Sequence, residues 1–245
     1  MNKIRDPFIK KLLNVYYGAP VKSLKSRRLF AAEDYYSLFI ETVFKNRVKE
    51  HLILKQMASP LAEEILLREN RSGIASLPEP LFHLQLINKE YLFLQRLPAP
   101  FSEKPVSSFT DDKLLALMRT MEELSRTSSR PMDYGVSFCK ESPGPLEASF
   151  PLSEKSVAVT EKGAFFIDMS RYALHHCGYA LWHWALVTRK ESDSFRVLLD
   201  LYYEDKKIPA REKALCSRSA REENFADLNL TEKEETELLE KYEGI

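Results

Sequence analysis

Glycine is scarce in this chain: seven among 245 residues. That leaves no G-x-G-x-x-G and so no classical dinucleotide-binding turn. Nor does a G-x-S-x-G occur, which removes the nucleophile elbow of a serine hydrolase. Cysteine is almost as rare, with Cys139, Cys177 and Cys216 standing singly. An odd number without paired spacing excludes a disulfide framework and a zinc ribbon, and fits reduced thiols. No apolar run approaches the ~20 residues that cross a bilayer. The charged start, Met1-Asn-Lys-Ile-Arg-Asp6, has no apolar core for export, so the expected location is cytoplasmic. Net charge is absent too: 36 basic and 36 acidic side chains cancel, so no global field recruits nucleic acid or an anionic membrane.

What is present is a hydrophobic fraction of 44%, enough for one large or two small domains with a real core. In residues 1–34 Phe8-Ile9, Leu12-Leu13 and Tyr16-Tyr17 recur at helical spacing up to Gly18-Ala-Pro20. A second helical stretch is expected from Val21 to Ala32, whose Lys22, Lys25, Arg27 and Arg28 read as a solvated face, with a phosphate or lipid contact or a helix docked on the domain as the alternatives.

From Tyr35 the pattern becomes β. Tyr35 to Phe44 is aromatic and β-branched, Lys45-Asn46-Arg47 is a turn, and Val48 to Met57 is a second run. Lys55 within that run reads either as an edge residue whose amine reaches water or as a cation for phosphate oxygens. Ser59-Pro60 opens a helix through Arg68, with Glu63 and Glu64 in its first turn, where the helix dipole favours carboxylates. Leu81 to Ile87 and Tyr91 to Leu97 form a further hairpin, and Pro98-Ala-Pro100 ends the small β-rich region, 35–97.

The remainder, 98–245, is expected to be mainly helical. Asp111 to Arg126 carries an apolar stripe, residues 127–155 read as loop, and helices are expected over His175–Thr188, Asp193–Tyr203 and from the Thr231 cap onward. His176 and His183 would then share a helix face two turns apart, too far to bind one ion alone, and Trp182 and Trp184 read as core. Between loop and helix, Val157-Ala-Val159 and Ala164-Phe-Phe-Ile167 flank Glu161-Lys162-Gly163 as a hairpin ending on Asp168. A carboxylate at the end of a buried strand is a helix cap, a structural ion-pair partner or a metal ligand.

This order of parts, from HLILK and AEEILLRE through YLFLQRLPAP to FFIDMSR, resembles the protein-kinase-like fold over roughly residues 35 to 190. The similarity is nearest to the aminoglycoside phosphotransferases and the kinases of lipopolysaccharide core sugars. The resemblance implies an α+β fold of two lobes, with a small antiparallel sheet, a mainly helical second lobe and extra N-terminal helices. It implies ATP and Mg²⁺ as cofactors and a sugar or protein hydroxyl as acceptor. Carried over, Lys55 contacts the nucleotide phosphates and Glu64 is its carboxylate partner, with Glu63 and Glu69 as alternatives. Backbone groups from Gln95 to Leu97 meet the adenine edge, and Asp168 holds the metal.

Two departures stand out. Glu147 to Lys155 occupies the place where the family carries an acceptor-orienting aspartate and a metal-binding asparagine; Asp133 could take the first role if residues 138–153 are an insertion. The first hairpin, read at Lys45-Asn46, also lacks the glycines whose N–H groups close over phosphates. The alternative to an active phosphotransferase is therefore a pseudokinase, an interaction module that keeps the fold without the chemistry.

Overall fold

The computed structural model describes residues 4–31, 35–57, 77–86, 90–100, 109–126, 145–153, 156–167 and 173–245. The chain divides into two compact units: Met1–Glu103 with Val157–Ser170, and Lys104–Ser156 with Arg171–Ile245.

The first unit is built on a five-stranded antiparallel sheet in the order β1-β2-β3-β5-β4. Its strands are β1 (Val21–Ala31), β2 (Tyr35–Phe44), β3 (Lys49–Met57), β4 (Glu79–Gln85) and β5 (Tyr91–Leu97). The expected hairpins of β2 with β3 and β4 with β5 are present. The turn between β2 and β3 closes through Phe44 N–H to Val48 O at 2.9 Å, with Arg47 at φ 68.

Alternation along these strands sorts the side chains onto two faces. One face carries Tyr36, Leu38 and Ile40 from β2, Leu52 and Leu54 from β3, and Leu92 and Leu94 from β5. Helix α1 (Asp6–Tyr17) lies on it through Ile9 and Leu13, both fully buried. Gly18 (φ 60) ends α1 in the left-handed conformation that glycine adopts without strain. The other face meets the hairpin of β7 (Val157–Thr160) and β8 (Gly163–Phe166): Ala158 and Ile167 cluster with Phe39, Ile53 and Leu97. The expected hairpin into Ile167 is thus present, and it belongs with the first unit.

Residues 21–31 are a strand and not the expected second helix. Leu24 packs toward α1 and Leu29 toward the β7–β8 face, a two-sided pattern that a helix stripe cannot produce. Pairing with β2 satisfies main-chain groups along one side of this otherwise polar segment. Residues 4–31 accordingly hold one helix and one strand where two helices were expected.

In the second unit α2 (Asp111–Arg126), α3 (Tyr179–Thr188), α4 (Ser192–Asp205), α5 (Ala210–Leu228) and α6 (Glu232–Lys241) accompany a two-stranded ribbon of β6 (Leu146–Ser149) and β9 (Ala173–His176). Trp182 and Trp184 are fully buried, as expected. Helix α6 begins with a complete capping box in which Thr231 and Glu234 bond each other's backbone N–H groups. Three expectations are corrected here. The stretch read as loop contains β6, and His175 and His176 belong to β9, so His176 and His183 share no helix. The helix starts at Tyr179 after Gly178 (φ 94). Helix α5, 19 residues long, has no apolar stripe and was not expected: its buried face is Cys216, Ser217, Ser219, Ala220, Glu223 and Asn224. Among the described residues no helix is long and apolar enough to cross a membrane.

Candidate functional site

Lys55 lies on β3, the middle strand of the sheet, with only 1% of its surface exposed. It is not an edge residue with its amine in water, because β2 and β5 flank it: Ser37 stands opposite on one side and Phe93 on the other. Two residues along the same face Ile53 lies between Phe39 and Gln95, and two further on His51 lies between Glu41 and Leu97. Gln95 is fully buried and Leu97 nearly so. This face therefore mixes an ammonium, a hydroxyl and an amide with apolar rings and branched chains. The opposite face, under α1, is mostly apolar, with Thr42 and Gln56 as its buried polar residues.

The hydroxyl of Ser37 is buried and has no hydrogen-bond partner among the described residues. Leaving such a group unpaired costs on the order of 1–3 kcal/mol. It sits beside the one lysine among the largest fully buried side chains. Nothing in the sequence marked Ser37 except its phase, two residues before Phe39 in β2.

The first hairpin of the sheet is that of β1 and β2, whose connection is residues 32–34. The turn at Lys45-Asn46 is the second. Counting β1, Lys55 stands on the third strand, where a kinase-type phosphate lysine stands. The sequence of the true first connection, Ala32-Glu33-Asp34, contains no glycine either. Glu63, Glu64, Glu69, Asp133 and Asp168, together with the helix expected from Ser59, lie outside the described residues. Ile167, the residue before Asp168, is fully buried in the cluster with Ile53.

The second unit buries a different set of polar groups. Glu223 on α5 accepts from His176 N–H at 3.0 Å and is within 2.7 Å and 3.0 Å of the Nδ1 atoms of His175 and His176. Burial pushes the Glu223 carboxyl up, but the bonds from His175 and the His176 N–H outweigh it and hold the group below the ordinary carboxylate range. The His175 ring stacks on Tyr179 at 3.8 Å, and Tyr179 donates to Asp227 at 2.5 Å. Beside it Glu147 accepts from Gly178 N–H at 2.8 Å and from the Tyr202 hydroxyl, and pairs with Lys206 at 3.4 Å. Burial, reinforced by Glu147, raises the Cys177 thiol far above its usual range. These carboxylates fasten β6 and β9 to the helices, and no group among the described residues has the makings of a metal site.

The segment between β6 and β7 closes on itself. Ser156 Oγ donates to Pro151 O at 2.9 Å and accepts from Ser153 N–H at 2.9 Å. Phe150 and Leu152 are buried, and His183 Nδ1 reaches Leu152 O at 3.1 Å. Its described residues include neither aspartate nor asparagine.

No protein-family model matches the sequence, and no curated protein does. Solved structures match over nearly the whole chain. The apoenzyme of macrolide 2′-phosphotransferase MphH from Brachybacterium faecium aligns at 12% identity and a TM-score of 0.53, covering 95% of this chain and 97% of that one. A thermostable mutant of aminoglycoside phosphotransferase APH(4)-Ia, in ternary complex with AMP-PNP and hygromycin B, aligns at 12% identity and 0.50, covering 97% and 99%. The five-stranded antiparallel sheet with its buried lysine on the third strand, followed by a mainly helical unit, is the two-lobed α+β fold of the kinase-like phosphotransferases.

Proposed function

We propose that the chain is a divergent phosphotransferase that moves the γ-phosphate of ATP to a hydroxyl of a sugar or protein acceptor. The observation that carries this reading is the burial of Lys55 in the middle of the sheet, on the face that also holds Ile53 and, through it, Ile167. Asp168 follows Ile167 directly in the chain.

The residues present suit a nucleotide. Lys55 supplies a cation for phosphate oxygens, the unpartnered Ser37 hydroxyl offers a donor next to it, and Phe39, Ile53 and Leu97 supply an apolar wall. In this reading Glu64, or Glu63 or Glu69, orients Lys55, main-chain groups from Gln95 to Leu97 meet the adenine edge, and Asp168 holds Mg²⁺. Asp133 is the candidate that orients the acceptor hydroxyl. Bound Mg²⁺ATP supplies the transferable phosphoryl group and spreads its charge, while this chain's side chains hold and align it.

The test is thermal unfolding with and without Mg²⁺ATP. Nucleotide at a hundred times its Kd should stabilise the protein by about 2.7 kcal/mol, and Lys55→Ala or Asp168→Asn should remove that shift together with any ADP formed in the presence of acceptor. No shift at millimolar nucleotide would retire the reading. Asp133→Asn should abolish turnover and leave the shift intact.

One observation favours a second reading, the pseudokinase. The segment before β7 spends its serines on its own main chain and offers no carboxylate among its described residues to an acceptor. That reading expects a nucleotide shift without ADP formation for sugar hydroxyls, aminoglycosides and macrolides alike.

A further inference from the structure

β1 is an edge strand, and among the described residues nothing pairs with its outer side. Between register irregularities at Val21/Ser23 and Arg28/Phe30, the run Ser23–Arg28 pairs regularly with β2 and is straight enough to template another strand. Its inner side is bonded to β2, and Leu24 is drawn into the core, while Lys22, Ser23, Lys25, Ser26, Arg27 and Arg28 are exposed. The alternation puts Lys25 and Arg27 on one face, opposite Glu41 and Phe39, and Arg28 on the other, opposite Leu38. A chain lying along this edge would meet cations above and below it.

The charge does not stop at the strand. Asp6 and Asn14 of α1 are tied to β1, through Ser26 Oγ at 2.8 Å and Val21 N–H at 2.7 Å. Lys10 lies one helical turn from each, on the same stripe, and is exposed. Lys45 N–H bonds Pro20 O at 2.9 Å, which brings exposed Lys45 and Arg47 to the start of the strand. Residues 1–57 contain twelve basic and five acidic side chains, in a chain whose charges balance at 36 each only over its whole length. Keeping an edge from aggregating takes a lysine or two on the strand itself. Cations on the adjoining helix and turn serve no such purpose.

We propose that the outer edge of β1 is a docking site for an extended acidic polypeptide, which adds as a sixth strand along Ser23–Arg28 with its carboxylates facing Lys22, Lys25, Arg27 and Arg28. Main-chain donors and acceptors supply affinity without regard to sequence, and the cations select for acidic partners and speed their approach. A phosphate backbone or a lipid surface would engage the same side chains but leave the row of main-chain groups unused.

The experiment is fluorescence anisotropy on the full chain, with a fluorescein-labelled peptide of alternating Glu and Thr as probe. Lys22→Glu/Lys25→Glu/Arg28→Glu should weaken binding about tenfold or more, and added salt should weaken the wild type. N-methylating alternate peptide residues in one phase should abolish binding, and in the other phase should leave it intact, because a strand offers its N–H groups alternately to either side. Equal tolerance of both phases would overturn strand addition. So would absence of binding, or tighter binding of oligo-dT or of phosphatidylserine vesicles. Circular dichroism checks that the triple variant folds; if it does not, Lys25→Gln/Arg28→Gln is measured in its place, with the same direction expected.

Discussion

The two faces of the first unit's sheet are made by the same strands, alternate residue by alternate residue, and are buried to a similar depth. Under α1 the face carries Tyr36, Leu38, Ile40, Leu52, Leu54, Leu92 and Leu94. Across the sheet Ser37, Lys55 and Gln95 are set among Phe39, Ile53, Phe93 and Leu97. Stability alone would fill both faces with apolar chains, since each buried methylene contributes roughly 0.8 kcal/mol and each buried polar group must be compensated. The α1 face buries polar groups as well, Thr42 and Gln56, but the ammonium of Lys55 and the unpartnered hydroxyl of Ser37 lie on the other, and it is on that face that the proposed nucleotide site rests.

The contrast can be broken at either face. Leu52→Ala, a truncation of a fully buried chain under α1, should cost about 3 kcal/mol in denaturant unfolding and leave the affinity of the surviving folded protein for Mg²⁺ATP unchanged. Lys55→Met should do the reverse. It replaces a buried ammonium by an apolar chain of similar length, so stability without nucleotide should stay level or rise, while the roughly 2.7 kcal/mol of nucleotide stabilisation disappears. A Lys55→Met protein that unfolds easily yet still responds to nucleotide would show that the lysine is a structural element. Ser37→Ala should sharpen the comparison further, raising the melting temperature of the free protein by removing an unpaired hydroxyl and shrinking the nucleotide shift.

The second unit offers a control in which a buried carboxylate is held by its neighbours, His175 and His176. Glu223 titrates below the ordinary carboxylate range in the folded chain, so its contribution is present above the unfolded value of about 4.3 and is lost as pH falls through the lower folded value. Glu223→Gln should flatten the acid limb of the stability profile and leave nucleotide binding alone. The smallest effect is expected at the rim of the α1 side. Arg96 pairs with exposed Glu79 at 3.0 Å, and Glu79→Gln should change stability by no more than about 0.5 kcal/mol.

Much of the fold was legible because its signals are local. The alternation in β2 and β3, the hairpin of β4 and β5, the stripe of α2 and the Thr231 cap are each written within a dozen residues. β1 was misread because its cations resemble a helix face, and only the presence of β2 as a partner makes the strand the better home for its main chain. The four-residue strands β6 and β9 pair across more than twenty residues, so neither is recognisable without the other. Helix α5 hides its buried face in serines, an asparagine and a glutamate whose bonds to His175, His176 and Tyr179 exist only after folding.

The candidate site divides in the same way. Lys55 at the end of an apolar run and Asp168 after Phe166-Ile167 were readable as residue types in the right order. Their order named the fold, because the sequence of hydrophobic runs and breaks restricts which strands can neighbour one another. That Lys55 is interior and not at an edge, that Ser37 is its neighbour, and that the basic segment forms an open edge were decided by tertiary structure. Burial and pairing depend on which distant segment supplies the other side of each contact, and no single stretch of sequence carries that information.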